Sequence, residues 1–580
     1  MGWLQRRNNL SIFIILAVVV FIIYGNSLFN GFVYDDGYLI VKNGFIKDFS
    51  RVNEVFSKDL MLVTPIGKPC GFYRPFSMVF LMVNYKVWGL NPWGWHFSSI
   101  LLHLASTFLT YLLLKEILPL RAAAFLAALV FAVHPIHVEA VTPVFNSMGL
   151  LATFFGLGSF LAFVKGKKRN KREYFFLSLL LLIAAVFSKE ETLVLPLVFI
   201  AYDFYFHSQF KIREIRRQWK LYSLFFAACV FYLGMRFLVI EKGAVWGLWG
   251  LNPILNYNIQ PTANVFYHLL TVFKICFRYL VLLFFPVNLC AFPVISPVHS
   301  FLDIEALFSL LLVLGLVACA VHSREEKPFF SFFTALFFIS SSLILNIIPI
   351  GGIFAERFMY FPSIAYCALV GYIFAAMFTR YASRGQQDRG KIVILIFGVI
   401  FSLYALQASM RNYVWRSNIS LWRDTAQKTP SWFTHTSLGY AYYEAGLYPQ
   451  ALAEYVKAVA FPSYKEYNIR SMIGRLYGMR EQYDEALREF QKALQLNPEF
   501  TEAYYSAGIT YFNKGDLKSA LSYFKKTVDQ DPRYPWGYYG LGLVYQKQGN
   551  PVLAHDYFTK ALALDPQFTL AAQALEKVAP

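Results

Sequence analysis

Asp35 and Asp36 stand side by side just after the first apolar run, in the stretch Gly31-Phe32-Val33-Tyr34-Asp35-Asp36. A carboxylate there can act as a general base toward an acceptor hydroxyl or help hold a divalent cation. From these two residues alone a solvated loop or a helix cap is the better account, so their meaning rests on their company. Polar groups recur at the ends of other apolar runs: Tyr73-Arg74-Pro75, Leu90-Asn91-Pro92, His134-Pro135-Ile136-His137-Val138-Glu139-Ala140-Val141, Ser188-Lys189-Glu190 and Glu356-Arg357-Phe358-Met359-Tyr360-Phe361-Pro362-Ser363. If all of these face one side, they form a site of acids, cations and histidines.

The elements that would place them there are apolar helices. Hydrophobic residues make up 57% of the 580 and charged residues 15%, against about 25% charged in ordinary soluble domains. Twelve apolar segments are read at 10–29, 96–114, 122–140, 147–164, 174–188, 191–206, 221–240, 264–285, 303–321, 329–348, 357–379 and 392–410; a span needs about 20 such residues. Arg6 and Arg7 precede the first, which reads as an uncleaved span because no small-residue cleavage site follows. Cations crowd 165–172 and 211–220, while 141–146 holds none. With the N-terminus cytoplasmic, this is the positive-inside pattern. The basic stretches 322–328 and 380–391 keep that pattern only if one segment between 241 and 302 fails to cross. The choice falls on 264–285, because it carries Lys274 and Arg278 and a cation in the bilayer is expensive. About eleven crossings then put the C-terminus outside. The net charge of +18 belongs to these loops and points to no nucleic acid. The six cysteines show no metal-binding spacing and no disulfide framework.

Beyond residue 430 the composition turns polar and a period of 34 or 35 residues appears. Gly439, Gly474, Gly508 and Gly542 are each followed three residues later by Tyr, then by Ala451, Ala486, Ala520 and Ala554, and four residues after that by Tyr455, Phe490, Phe524 and Phe558. Gly and Ala admit close helix approach and the rings fill the space between. This pattern looks like the tetratricopeptide repeat, four of which form a short superhelix. The expected fold is all-α: a polytopic membrane helical bundle over 1–410 with an outer loop at 30–95, a junction at 411–430, and a four-repeat superhelix over 431–580.

Taken in order, the membrane motifs, with Arg411-Asn412-Tyr413-Val414-Trp415 and Leu421-Trp422-Arg423 at the junction, resemble the transmembrane-and-tetratricopeptide O-mannosyltransferase-like family and its bacterial relatives, the membrane glycosyltransferases of the C-type fold. The resemblance implies an inverting transfer of sugar from a polyprenyl-phosphate donor to an acceptor hydroxyl, protein Ser or Thr, outside the cytoplasm. It places the base at Asp35, with Asp36 orienting the site or helping hold a metal. A departing lipid phosphate needs positive charge, for which Arg357 and Arg74 lead and Lys189 follows; snorkelling cations are the alternative reading. His134, His137, Glu139 and Glu356 stand as sugar or acceptor contacts, although a histidine at a helix end is more often structural. A cation such as Mg or Mn, on Asp35, Asp36 and Glu139, is left open. One departure is visible: where relatives carry Arg-x-Asp-Leu-Leu, this chain has Ser147-Met148-Gly149-Leu150-Leu151.

The expected partners are therefore the lipid-linked sugar, the bilayer, and a protein or peptide acceptor on the repeats, in a bacterial inner membrane with the repeats extracytoplasmic. The competing reading is a non-enzymatic membrane scaffold whose repeats recruit envelope partners. The missing Arg-x-Asp favours the scaffold; Asp35-Asp36 and Glu356-Arg357 favour the enzyme.

Overall fold

The computed structural model describes residues 8–208, 210–240, 265–347 and 354–578. Arg6, Arg7 and the stretch 241–264, on which part of the orientation argument falls, lie outside the described residues. Those described are helices and turns, with no strand among them. They divide into two compact units, Met1–Asp424 and Thr425–Pro580.

Among the described residues of the first unit eight helices are long and apolar enough to cross a bilayer, and the bent pair Arg121–Val133 and Pro135–Val141 adds a ninth candidate. The remaining expected segments form shorter helices, Arg172–Ser188, Leu195–Phe206 and Pro328–Ser341. The segment expected to stop short is a continuous helix, Val265–Phe284. Its cations have partners: Lys274 lies 3.1 Å from Glu305 and 3.7 Å from Asp303, and Arg278 lies 2.5 Å from Glu305. Pairing removes much of the penalty that argued against a crossing.

The loop at 30–95 has helical structure of its own. It holds the helix Pro75–Trp88, which starts on a proline and stops at Gly89, a residue in the left-handed region at φ +57°. Asn91 then caps the next helix, Pro92–Ile117, by accepting from the Trp93 amide at 3.2 Å. Two of the motif segments, Tyr-Arg-Pro and Leu-Asn-Pro, are thus helix starts.

Pro135 explains the 51° bend. It has no N–H for the carbonyl of Phe131, and that carbonyl is met instead by His137 Nδ1 at 2.8 Å. The next carbonyl, of Ala132, lies 3.2 Å from His103 Nε2. The Ile136 amide donates to His134 Nδ1 at 3.2 Å, and His134 Nε2 lies 2.9 Å from the Leu283 carbonyl. A helix broken inside an apolar bundle must have its freed backbone groups met by side chains; three buried histidines do this here.

In the second unit the helices pair as Trp432–Glu444 with Tyr448–Ala458, Glu466–Met479 with Tyr483–Leu496, Thr501–Lys514 with Leu517–Gln530, and Pro535–Lys547 with Pro551–Leu564. A Cβ added at Gly439, Gly474, Gly508 or Gly542 would stand 2.9, 2.8, 2.6 or 2.4 Å from the ring of Tyr455, Phe490, Phe524 or Phe558. Ala451, Ala486, Ala520 and Ala554 are fully buried beside those rings.

One tight helix crossing in the first unit is at Gly371. A Cβ there would meet the backbone of the facing helix, 2.5 Å from the Ala123 carbonyl oxygen and 2.6 Å from the Ala127 nitrogen. Backbone cannot swing aside, so Gly371→Ala should destabilise the protein by about 1–3 kcal/mol, read as a lower melting temperature of the detergent-solubilised chain. Gly398→Ala is the control: its Cβ meets nothing within 4 Å, and it should melt no lower than the wild type.

Candidate active site

The loop after the first span is laced to the junction helix region. Asn30 Nδ2 donates to the Asn412 carbonyl at 3.0 Å, the Gly31 amide to the Arg416 carbonyl at 3.1 Å, and the Tyr34 amide to Asn418 Oδ1 at 2.8 Å. Tyr34 adopts φ +54°, a strained region for a residue with a bulky side chain. Its ring is held edge-on between Phe145 and Trp422, with centroids 5.4 and 5.2 Å away.

Asp36 closes this turn. Its Oδ2 accepts from the Val33 amide at 3.0 Å and its Oδ1 from the Phe145 amide at 2.7 Å. The side chain is fully buried. Burial pushes its carboxyl up to about 7, while the Val33 and Phe145 amides pull the other way. Both oxygens are consumed, so Asp36 is a positioning residue. Its neighbour Asp35 is turned the other way: it accepts a hydrogen bond from the Tyr38 hydroxyl on one oxygen and keeps the second without a partner among the described residues. Burial raises its carboxyl, and Tyr38 and the charge of Arg357 oppose that rise.

Arg357 is aimed at this point by Glu139. The Glu139 carboxylate is fully buried, accepts from the Arg357 amide at 3.0 Å through Oε2, and pairs with the guanidinium through Oε1. Two contacts to backbone and side chain of one residue fix its direction. The guanidinium stacks near Phe358, 5.2 Å from the ring centre, and Lys189 Nζ lies 5.5 Å from the same centre. Lys189 pairs with Glu191 at 2.5 Å, and burial lowers its pKa while Glu191 works against that. Gly149, the departure from the resemblance, faces this ammonium: a Cβ there would stand 3.6 Å from Lys189 Nζ.

Arg74 and Glu190 form a closed pair, Nε to Oε2 at 2.9 Å and Nη2 to Oε1 at 2.5 Å. Burial works against the ionised Glu190, but Arg74 overrides it and holds the carboxyl at about 2. The pair with Glu190 takes two of the five guanidinium N–H groups of Arg74. Glu356 is likewise committed. It is buried, accepts from the Cys290 amide and meets Arg411 Nη2 at 3.2 Å through both oxygens. Its role is to tie the 285–290 segment and the last apolar helix to the start of Glu356–Met359. His134 and His137 are buried in the helix break, and His137 Nε2 lies 2.7 Å from Ser363 Oγ. Their ring nitrogens, like the Glu356 oxygens, are spent on protein groups.

Three participants escaped the sequence reading. Tyr38 lies two residues beyond the motif that was read; its spacing of three from Asp35 in a helical turn was the available signal. Glu191 follows Ser188-Lys189-Glu190 directly. His103 sits mid-helix with Tyr360 OH 2.7 Å from its Nδ1, and nothing local marks it. As for a divalent cation on Asp35, Asp36 and Glu139, the described residues hold no cluster of three or more His, Cys, Asp or Glu placed to bind one. Asp36 and Glu139 have their oxygens taken, so this set does not fit a protein-held ion.

Residues 72–234 match the dolichyl-phosphate-mannose-protein mannosyltransferase family, and residues 474–515, 508–549 and 535–568 match tetratricopeptide repeats. Arg74, Glu139, Gly149 and Lys189 lie inside the first match. A protein O-mannosyl-transferase of Caenorhabditis elegans is 26% identical over 475 residues, covering 80% of this chain and 64% of its own length. Protein O-mannosyl-transferase Tmtc3 of Drosophila melanogaster is 25% identical over 563 residues, covering 85% of this chain and 59% of its own length. Thus the chain spans less than two thirds of either relative. The crystal structure of MamA is 25% identical, with a TM-score of 0.24, and covers 26% of this chain and 89% of that one. The chain is a multi-pass membrane protein in which a segment similar to the dolichyl-phosphate-mannose-protein mannosyltransferase family precedes C-terminal tetratricopeptide repeats, and the relatives it resembles are named protein O-mannosyl-transferases.

Proposed function

We propose that this chain is an inverting membrane glycosyltransferase that moves a sugar, mannose in the first instance, from a polyprenyl-phosphate carrier to a Ser or Thr hydroxyl of a protein. The proposal takes 1–410 as the catalytic part, 411–430 as the junction and 431–580 as the part that binds the acceptor. It places the site and the repeats on the extracytoplasmic side. A bacterial inner membrane, the setting first expected, stays part of this proposal, although the relatives compared are animal proteins.

One observation carries the reading: an acid with a free oxygen, Asp35, beside a guanidinium, Arg357, that a buried carboxylate holds in place. Asp35 takes the proton of the acceptor hydroxyl as its oxygen bonds to the anomeric carbon. The bond from that carbon to the phosphate oxygen breaks on the opposite face, and the lipid phosphate leaves with the electron pair. Arg357 meets the charge that develops, with Lys189 next to it across Phe358; such preorganised charge is a large term in transfer reactions. Glu139 acts through Arg357, and Asp36 through the loop. Tyr38 holds the Asp35 carboxylate in the orientation its free oxygen needs.

Purified protein given polyprenyl-phosphate mannose and a Ser/Thr peptide pool should transfer sugar, and Asp35→Asn should lower turnover by about a hundredfold or more with unchanged melting. Transfer by Asp35→Asn at the wild-type rate would remove Asp35 from the base role.

The pH profile adds a second check. Burial raises Asp35 above the ordinary carboxylate range and Arg357 holds that rise back. A base works only when deprotonated, so kcat/KM should fall as pH drops through this raised value. Removing the cation in Arg357→Gln should move the acid limb to higher pH as well as lower kcat; Arg357→Lys should leave the limb near its wild-type position. An acid limb that stays in place in Arg357→Gln would show that the two groups do not act on each other.

A further inference from the structure

From the end of the last apolar helix to Trp422 the chain is spent largely on the loop that carries the two acids. Asn412 ties the start of that loop. Its Nδ2 donates to the Ile23 carbonyl and to Asn26 Oδ1, each at 2.8 Å, and its Oδ1 accepts from Thr142 Oγ1 at 2.7 Å. Farther on, Asn418 and Trp422 stand one turn apart on the helix Asn418–Lys428. Both reach a single residue, Tyr34. Asn418 Oδ1 accepts from its amide at 2.8 Å, and the Trp422 ring meets its ring edge-on at 5.2 Å. Trp422 is itself buried, so the ring it offers is a fixed one.

Tyr34 needs such holding. Its φ of +54° is a conformation that glycine enters freely and a tyrosine keeps only where its surroundings over-determine it. Here the bond to Asn418 fixes the backbone, and Phe145 and Trp422 fix the ring. The turn decides what the two carboxylates meet. Asp36 folds back onto the Val33 and Phe145 amides, while Asp35 goes to Tyr38 and into the field of Arg357. The Tyr34 phenol lies in the field of Arg357 as well. Returning residue 34 to an ordinary φ would swing the chain after it, Asp35 first, by roughly 110° about one bond. The same stretch also holds the partner of Asp35 from the other side: Arg411 pairs with Glu356, the residue before Arg357.

We propose that Asn418 and Trp422 are positioning residues of the transfer site: they hold Tyr34 in its left-handed turn and through it aim the Asp35 carboxylate toward Arg357. What Asp35 does once aimed rests on the transferase reading; what holds it rests on the contacts of Tyr34 alone. The site thereby reaches far beyond the matched residues 72–234, and the junction becomes a working part of it.

The test follows transfer, melting and the pH profile of the full-length chain in detergent. Asn418→Ala removes the acceptor of the Tyr34 amide. Its kcat should fall about tenfold, the scale of one lost hydrogen bond, with an unchanged KM for the lipid donor and unchanged melting. Asn418→Asp keeps an accepting oxygen and sets a charge near Asp35. Its plateau kcat should return toward the wild type while the acid limb moves to higher pH, because a like charge raises the Asp35 carboxyl. Trp422→Phe keeps a ring against Tyr34 and should retain turnover that Trp422→Leu loses. A wild-type kcat in Asn418→Ala, or an acid limb that stays in place in Asn418→Asp, would overturn the proposal. A second readout needs no turnover. With Cys70 and Cys319, the two cysteines that are not buried, replaced by alanine, the thiol of Asp35→Cys should react with a charged methanethiosulfonate about tenfold faster once Asn418→Ala frees the loop. An equal rate with and without Asn418→Ala would also overturn it. A faster rate in a chain whose wild type transfers no sugar would leave the positioning standing and count against the transferase reading.

Discussion

A charge taken out of water has to be met by the protein, and that constraint organises the first unit. Removing a carboxylate from water without compensation is far more costly than the whole of a domain's net stability. Glu139 meets Arg357, Glu190 meets Arg74, Glu356 meets Arg411, and Asp36 is met by two backbone amides. Each pairing joins segments distant in the chain: Glu139 and Arg357 are 218 residues apart, and Arg74 and Glu190 are 116 apart. The polar motifs at the ends of the apolar helices are thus largely the seams by which those helices are fastened to one another. What remains chemically available after the pairing is a short set, with Asp35 at its centre.

The same constraint acts on the backbone. A proline in the middle of an apolar run leaves carbonyls that neither lipid nor the helix can satisfy. The break at Pro135 is tolerated because His137 and His103 supply ring nitrogens to the carbonyls of Phe131 and Ala132. The break has a consequence for the site. Beyond the 51° bend Val138–Val141, with Glu139 on it, packs beside Glu356–Met359. The histidines and the carboxylate in the same motif therefore divide the labour, the rings holding the bend and the carboxylate holding the arginine.

This division explains what was legible in the sequence. Periodicity is local, so the repeat register could be read directly: the glycines, alanines and rings picked out at a period of 34 or 35 are those that touch. Apolar length is local too, and each of the twelve segments corresponds to a helix. The place of the site was legible because its polar residues stand at helix ends. The roles were not, because a role depends on the partner. Nothing within a few residues of Asp36 says that Phe145, 109 positions away, takes one of its oxygens, or that Arg411 takes both oxygens of Glu356. Lys274 shows the same limit: read alone it is an unpaired cation in an apolar run, and its acids stand in another helix start, at Asp303 and Glu305.

The departure at 147–149 takes on a different meaning in this light. Read along the chain, Gly149 is a missing acid. In the structure the space a side chain at 149 would enter lies against Lys189 Nζ, 3.6 Å from where its Cβ would be. An acid at 149 would therefore have been a partner for that lysine. Lys189 is nevertheless paired, through Glu191, from the turn that carries it. The buried ammonium is stabilised from its own segment instead of from the neighbouring helix, and the side of Lys189 toward Gly149 is relieved of a carboxylate. For the proposed approach of a phosphate this difference has a sign. An acid at 149 would add negative charge between the lysine and anything approaching from that helix, whereas glycine adds none. With glycine at 149 the ion pair of Lys189 is made from its own turn, through Glu191, and among the described residues no carboxylate stands on the Gly149 side of the ammonium.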